Sequence, residues 1–215
     1  KKADDRGKKV APNGHIGVCG VDSYDLDVTV DSRGSKGALH LYNKFNMDAP
    51  ANMFVVEYAS RPDLASIFYE DVLMCSFYYG YPILIENNKY GIARYFESRG
   101  YDGYLMDRPG HLKSASSSSV RTKGIPSNSQ DVIQSHAHAI EAYIHDHVGV
   151  NIETGEIGKM YFNRTLEDWI GYKIDKRTKF DLTISSGLAL LAAQKVKKEK
   201  PVADFSDKRF FRRYR

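Results

Sequence analysis

Two short apolar runs in this chain each end on a carboxylate, and they constrain the fold more than any other feature. The first run, HIGVCGV, leads into Asp22, and the second, PILI, leads into Glu86. Apolar runs of this length are typical of strands buried on both faces, which occur in sheets that helices cover. A carboxylate that closes such a run is costly unless it is paired or bound. The pattern therefore predicts an α/β fold with acidic side chains at strand ends.

The rest of the sequence predicts three early strands and then an alternation of helices and strands. The early strands, at 15–21, 38–45 and 53–58, follow one another quickly enough to form an antiparallel meander. A helix that Pro62 opens and Gly80 ends should then return the strand at 82–86 parallel to its neighbour. The apolar face of this helix is expected to consist of Leu64, Ile67, Phe68, Val72, Cys75 and Tyr79.

Later elements complete a mixed central β-sheet flanked by helices. A helix is predicted over 90–98, and short strands are predicted at 103–106 and 160–162. Ser127 and Gln130 have the spacing of a capping box and open a helix that runs to about His147, and Thr165 is expected to cap a small helix that contains Trp169.

A third carboxylate, Asp181, opens the last helix, DLTISSGLALLAAQKV, which is apolar along most of its length and should be buried. Asp22 has an ordinary alternative as a turn residue after a strand, and Asp181 has one as a helix cap. The order of a strand with Asp, a strand with Glu and a helix with Asp favours a shared role. Functional groups in α/β sheets collect at the carboxyl ends of strands, so we expect the three to converge.

Carboxylates that converge repel one another unless cations neutralise them. Hard divalent cations prefer oxygen ligands, and Mg²⁺ uses few protein carboxylates together with phosphate and water. Two such ions can activate a water and stabilise the leaving oxygen of a phosphodiester. The sequence therefore predicts Asp22, Glu86 and Asp181 as catalytic residues that hold two divalent cations, Mg²⁺ or Mn²⁺.

The charge is distributed unevenly along the chain. The net charge is +4, but residues 195–215 carry nine basic and three acidic side chains, and residues 1–9 carry five and two, so the remainder is acidic. An acidic body fits a protein that concentrates carboxylates around metal ions better than it fits a plain DNA-binding module. We predict a polar lead (1–14), one domain (15–196) and a basic tail (197–215), and the polar start without Met suggests a fragment of a longer chain.

Other features of the sequence predict ordinary structural roles. Cys19 and Cys75 lie in apolar stretches without a Cys-x-x-Cys pair and are expected to be buried free thiols. No apolar run is long enough to cross a membrane and no signal peptide is visible, so a cytoplasmic protein is expected. Four histidines of one predicted helix lack the spacing of a zinc site and are expected on a polar face: His136, His138, His145 and His147.

The three carboxylates lie in the stretches HIGVCGVD, ILIENNKYGIARYFESRGY and FDLTISSGLALLAA. Together these stretches resemble the C-terminal nuclease domain of the large terminase subunit of tailed bacteriophages. They are similar to its first strand with a metal-binding Asp, its strand-Glu-Asn segment and its closing Asp-helix. The intervening KGIPSNSQDVIQSHAHAIEAYI and MYFNRTLEDWIGY resemble its substrate-side loop, helix and short strand-helix, so the resemblance extends from His15 to Val196. Lys179 and Phe180 stand where many relatives have His-Asp, which leaves Asp181 as the only candidate ligand there.

The resemblance implies an RNase H-like fold and metal-dependent endonucleolytic cleavage of double-stranded concatemeric viral DNA during genome packaging. It implies as partners double-stranded DNA, the terminase ATPase domain, the portal ring and the small terminase subunit. The implied location is the cytoplasm of the infected bacterial host, transiently at the procapsid portal. The sequence contains no Gly-x-x-x-x-Gly-Lys-Ser/Thr motif, so this chain is not expected to hydrolyse ATP or package DNA by itself.

The sequence leaves several alternatives open. Arg121 and Lys123 could bind DNA phosphates or be ordinary loop charges, and Asp25 could lend a further carboxylate or be a solvated turn residue. The basic tail interleaves arginine with aromatic residues and could bind DNA or dock on the portal. The alternative functions are another RNase H-like nuclease, such as a junction resolvase or transposase, and a non-catalytic portal- or DNA-docking module.

Overall fold

A mixed sheet of four strands forms the centre of the part of the protein that the structure describes. The computed structural model describes residues 3, 7–25, 36–44, 50–112, 123–126, 129–149, 155 and 158–194. The strands stand in the order β3-β2-β1-β4. Their bounds are β1 (Gly17–Asp22), β2 (Gly37–Asn43), β3 (Met53–Ser60) and β4 (Ile83–Ile85).

The directions of the strands confirm the predicted topology. β1, β2 and β3 form an antiparallel meander, whereas β4 returns parallel to β1 after a helical crossover. Val21 pairs with Ile85 in the parallel ladder. β1 and β4 therefore end at the same edge of the sheet, and each is completed there by an acidic residue.

Five α-helices cover the sheet within the described residues. They are α1 (Ala65–Tyr79), α2 (Tyr90–Ser98), α3 (Gln130–His147), α4 (Asn163–Gly171) and α5 (Asp181–Ala193). Successive side chains along β1 and along β4 point to opposite faces of the sheet, because a strand is pleated, and so they pack in different helical layers. Cys19 and Val21 pack in the core formed with α1 and α2, whereas Val18 and Leu84 pack in the core formed with α3, α4 and α5. The fold is thus a sheet between two helical layers.

Helix α5 lies directly against β1, and Gly20 permits this approach. A Cβ atom at Gly20 would overlap the carbonyl oxygen of Ser185 and the backbone nitrogen of Ala189. Leu188, Ala189 and Leu191 are accordingly buried almost completely. Because α5 begins at Asp181, this close packing also brings the start of the helix toward the end of β1.

A buried hydrogen-bond network ties β2 and β3 to the helices on the same side. The His40 ring contacts the Ser185 hydroxyl at 2.8 Å and the Thr165 hydroxyl at 2.7 Å, and Thr165 donates to the Glu57 carboxylate at 2.6 Å. Since the Thr165 proton is directed to Glu57, the neutral ring donates from Nε2 and accepts from Ser185 at Nδ1. Burial lowers the pKa of His40 to about 3, so the ring remains neutral in the folded protein.

Acid should destabilise the protein through His40. The pKa of this ring is lower in the folded state than its ordinary value of 6.5. Below pH 6.5 the unfolded chain therefore binds a proton at this histidine, whereas the folded protein does not. The free energy of unfolding should therefore fall by about 3 kcal/mol between pH 7 and pH 4 from this group. Denaturant titrations at both pH values should show a smaller difference for His40→Gln than for the wild type.

The control for this prediction is His138→Gln, because His138 is exposed on α3. It should keep the wild-type pH dependence. His136, whose pKa burial lowers to about 4, should contribute acid sensitivity in all three proteins. An identical pH dependence in His40→Gln and the wild type would contradict the assignment to His40.

The structure corrects the predicted start and orientation of α1. The helix begins at Ala65 with Leu64 as its N-cap residue, so Pro62 precedes it rather than opening it. Leu64 and Ile67, which the sequence pattern places on the buried face, are 53% and 48% exposed. Phe68 and Val72 are buried as expected. Apolar side chains surround this helix, so their spacing did not define a unique face.

Other local predictions are also corrected. Residues 160–162 form no strand in the described structure. A short 3-10 helix, Asp102–Tyr104, overlaps the strand predicted at 103–106, where Leu105 forms a single bridge with Ile83. Thr165 lies inside α4 rather than capping it. The residue that precedes α3 is Ser129, and Ser127 lies outside the described residues.

Two predictions about polar and sulfur side chains have mixed outcomes. His136 is buried and contacts the carbonyl oxygen of Ile184, so the prediction of a polar face was wrong for this histidine. Both cysteines are free thiols as expected, but only Cys19 is buried and Cys75 is half-buried. Over the described residues, no helix combines the length and the apolar character that a bilayer span requires.

Candidate functional site

Asp22 and Glu86 lie side by side at one edge of the sheet. Asp22 is the last residue of β1, and Glu86 follows β4 directly and forms a bridge with Ile125. The parallel register pairs Val21 with Ile85, so the next residue on each strand lies at the same edge, and the ammonium of Lys89 reaches both carboxylates. Only 3% of Asp22 and 6% of Glu86 is exposed. The sequence prediction that these carboxylates share an edge is consistent with this register.

Asp181 reaches the same site from the first turn of α5. The residue is half-buried, and its Oδ2 accepts a hydrogen bond from the backbone N–H of Lys36 at 2.9 Å. Lys36 lies two residues before Ala38 of β2, which pairs with Asp22 of β1, so this hydrogen bond holds Asp181 near Asp22. The charge of Asp181 also contributes to raising the pKa of Asp22. The positive end of the helix dipole also favours negative charge at this position. Three carboxylates from distant parts of the sequence therefore converge.

The alternative role of Asp181, as the cap of its own helix, is taken by another residue. The Asp168 carboxylate on α4 accepts hydrogen bonds from the backbone N–H of Thr183 at 2.7 Å and from its hydroxyl at 2.8 Å. The N-cap residue of α5 is Phe180, which makes no side-chain capping bond. Asp168 thus accepts the N–H of Thr183 in the first turn of α5, so the Asp181 side chain is not required as a cap.

Two cations that sequence reasoning missed hold the carboxylates. The ammonium of Lys89 contacts Asp22 Oδ1 and lies 3.8 Å from Glu86 Oε2. The guanidinium of Arg177 binds the other oxygen of Glu86 at 2.6 Å. A signal for Lys89 was present, because it follows Glu86 by three residues and lies just before a predicted helix. Arg177 gives no comparable signal, since 91 residues separate it from Glu86.

Burial and mutual repulsion control the charges of the site. Burial raises the pKa of Asp22 to about 7, against the opposing attraction of Lys89, and Glu86 and Asp181 raise it further. Burial also disfavours the charge on Lys89, but Asp22 and Glu86 outweigh it and raise the pKa of the ammonium. The site therefore strongly attracts positive charge.

The three carboxylates are suitable ligands for a hard divalent cation, although their oxygens are not arranged around a common position. Within the described residues, no group of three or more His, Cys, Asp or Glu side chains is arranged to hold a metal ion as they stand. Asp22 and Glu86 face Lys89 and Arg177 instead. Carboxylate oxygens at the edge of the sheet are nevertheless the ligands that Mg²⁺ and Mn²⁺ prefer. Three carboxylates near one partly buried ammonium and one guanidinium leave an excess of negative charge that such an ion would neutralise.

Asp25 supports the site through α2 rather than by joining the cluster. Its Oδ1 accepts hydrogen bonds at 3.1 Å from the backbone N–H of Gly91 and from the hydroxyl of Tyr69. Gly91 belongs to the first turn of α2, and Lys89 is the N-cap residue of that helix. Asp25 therefore anchors the backbone that carries Lys89.

Of the two predicted DNA contacts, the structure describes Lys123, and a further basic segment precedes Asp181. Lys123 pairs with the Asp107 carboxylate at 2.8 Å and donates to the carbonyl oxygen of Leu105, while Arg121 lies outside the described residues. A 3-10 helix, Ile174–Lys179, ends two residues before Asp181. Its flanks and surface carry exposed cations at Lys173, Lys176 and Lys179. The run KIDKRTK in the sequence would have indicated this segment.

No protein-family model matches the chain, and no curated protein matches it either. At this site Lys89 lies between Asp22 and Glu86, Lys36 holds Asp181 near them, and a basic segment precedes Asp181.

Proposed function

We propose that this protein is a metal-dependent endonuclease of RNase H-like fold that cleaves double-stranded DNA. The observation that carries the proposal is that Asp22 and Glu86 share the Lys89 ammonium where β1 and β4 end, while a hydrogen bond to Lys36, just before β2, holds Asp181 near Asp22. Asp22 and Glu86 are buried and Asp181 is half-buried, and bringing three carboxylates together costs stability that Lys89 and Arg177 offset only in part. A catalytic use of bound cations accounts for that cost.

Asp22, Glu86 and Asp181 would hold two divalent cations, Mg²⁺ or Mn²⁺. When bound, such ions activate a water and stabilise the leaving oxygen of a phosphodiester. The chain's own groups position the ligands: the parallel ladder orients Asp22 and Glu86, and Asp168 fixes the start of α5 so that Asp181 stays at the edge. Arg177 orients the Glu86 carboxylate from its outer side.

The basic segment beside Asp181 supports a polyanionic substrate. Lys173, Lys176 and Lys179 are exposed within eight residues of Asp181, and Arg177 of the same 3-10 helix contacts Glu86. A DNA backbone that contacts these lysines would therefore lie close to the site. Contacts to phosphates position DNA without reading its sequence. Little sequence specificity is therefore expected, and Lys123 could extend the same surface only if phosphate displaces Asp107.

The order of the site residues along the fold supports the narrower assignment to a terminase nuclease domain. An Asp ends the first strand, a Glu follows the parallel strand and an Asp begins the helix that packs on the first strand. This is the order that the resembled family has. In that role the chain would cut concatemeric viral DNA during packaging, together with an ATPase domain, a portal ring and a small terminase subunit. The tail 197–215, a candidate for docking or DNA binding, lies outside the described residues.

Cleavage of supercoiled plasmid tests the proposal. The purified chain should nick and then linearise plasmid DNA in the presence of Mn²⁺ or Mg²⁺, and excess EDTA should abolish the reaction because the ions are required. Gel electrophoresis over a time course measures both steps. Plasmid that remains intact in Mn²⁺ at high protein concentration would favour the non-catalytic docking alternative.

A comparison of substrates separates the terminase reading from other RNase H-like nucleases. Plain duplex and an immobile four-way junction of the same sequence should be cut at similar rates by an enzyme that recognises only the phosphate backbone. A junction resolvase would cut the junction many times faster. A transposase would cut only duplexes that contain a particular end sequence.

A further inference from the structure

The ammonium of Lys89 occupies the place between two of the proposed metal ligands. It contacts Asp22 Oδ1 and lies 3.8 Å from Glu86 Oε2, whereas Arg177 binds the opposite oxygen of Glu86. The side chain of Lys89 is only 26% exposed. Lys89 is thus directed into the site rather than lying on the surface above it.

The surrounding structure fixes the origin of this side chain. Lys89 is the N-cap residue of α2, and Asp25 anchors the first turn of that helix through Gly91. Ile92 and Phe96 bury the inner face of the helix in the core. The backbone of Lys89 is therefore held near the carboxylates, while its flexible side chain can take another direction.

A divalent ion and this ammonium compete for the same carboxylate oxygens. The ammonium contacts Asp22 Oδ1 and faces Glu86 Oε2, so a metal ion that bridges these two oxygens must take its place. Two cations a few ångströms apart in a partly buried site also repel each other strongly. Arg177 presents a weaker conflict because it binds the oxygen of Glu86 that faces away from Lys89.

We propose that Lys89 is a built-in counter-ion that a divalent cation must displace from Asp22 and Glu86, so that competition with Lys89 limits the affinity of the site for metal. This inference rests on the proposed function, because it assumes that the carboxylates bind metal. Without metal, Lys89 keeps the acidic groups together against their repulsion. With metal, its ammonium leaves the site while α2 stays in place.

Calorimetric titration of the whole chain with MnCl₂ tests the inference. Lys89→Gln removes the charge but keeps much of the length of the side chain, and it should bind Mn²⁺ at least about tenfold more tightly than the wild type. The matched control is Lys8→Gln, which removes another lysine paired with a carboxylate, Asp102. The control should bind Mn²⁺ with wild-type affinity.

The outcomes separate this inference from the proposed function. Equal Mn²⁺ affinity in the wild type and Lys89→Gln, or weaker binding in the variant, would overturn the role of Lys89 and leave the metal site standing. Absence of Mn²⁺ binding to both proteins would overturn the metal site and this inference with it. Circular dichroism checks that the variant folds.

A labelling experiment on the unchanged protein tests the same point without a variant. Acetylation by an amine-reactive ester, followed by mass spectrometry of the peptides, reports how available each lysine is. Acetylation of Lys89 should rise several-fold when Mg²⁺ is added, because a displaced ammonium loses its carboxylate partners. Acetylation of Lys8 should not change. Equal labelling of Lys89 with and without Mg²⁺, under conditions where calorimetry shows binding, would overturn the displacement.

Discussion

Replacing Asp181 by asparagine should reduce plasmid cleavage on the order of a thousandfold while the fold is retained. The charge stabilisation that a metal ion supplies is worth several kcal/mol, and each 1.36 kcal/mol changes a rate tenfold. Asparagine keeps an oxygen that can accept the N–H of Lys36, so the local structure should survive. Asp168, not Asp181, caps the helix, which further protects the fold of the variant. Initial nicking rates in Mn²⁺ measure the effect.

The control for this variant is Asp175→Asn, because Asp175 is an exposed carboxylate in the neighbouring 3-10 helix. It should cleave DNA at close to the wild-type rate. Wild-type cleavage by a folded Asp181→Asn protein would remove Asp181 from the site and with it the convergence on which the proposed function depends.

Replacing Gly20 by alanine should destabilise the protein by about 3 kcal/mol or more. The added Cβ would overlap the backbone of α5 at Ser185 and Ala189, and backbone cannot rotate away as a side chain can. A loss of this size is a large part of the stability of an ordinary domain. The melting temperature should fall by roughly 10 °C. Thermal unfolding followed by circular dichroism measures the change.

Gly14→Ala provides the comparison. A Cβ at Gly14 would meet only side-chain carbons of Pro82, at 3.2 Å and 3.4 Å, so this variant should lose less than about 1 kcal/mol. Equal melting temperatures for Gly20→Ala and the wild type would show that α5 does not need its close contact with β1. The same contact brings Asp181 toward Asp22, so a surviving Gly20→Ala protein should also bind Mn²⁺ more weakly.

The edge that Asp22 and Glu86 share could be predicted from the sequence because it follows from simple rules. An apolar run that follows a helical crossover becomes a parallel neighbour of the first strand, and parallel strands end at the same edge. The burial of α5 could be predicted in the same way, since its sequence has few polar positions. These features depend on long apolar patterns, which a single sequence displays directly.

The ion pairs that the carboxylates form with Lys89 and Arg177 could not be predicted, because they depend on side-chain geometry. Arg177 reaches Glu86 across a gap of 91 residues, and nothing in the local sequence indicates that contact. The predicted buried face of α1 was wrong for another reason. Apolar residues lie on all sides of this helix, so several faces are equally compatible with burial. Thr165 was assigned as a cap from its residue type, whereas its hydroxyl serves Glu57 on β3.

Anomalous diffraction from a crystal soaked in Mn²⁺ tests whether the three carboxylates bind a metal ion. We expect a strong peak between the carboxylates of Asp22, Glu86 and Asp181, with carboxylate oxygens at about 2.0–2.2 Å from the ion, and with the Lys89 ammonium moved away from Asp22. A saturating soak that leaves this edge without a peak, and Lys89 still bound to Asp22, would contradict it.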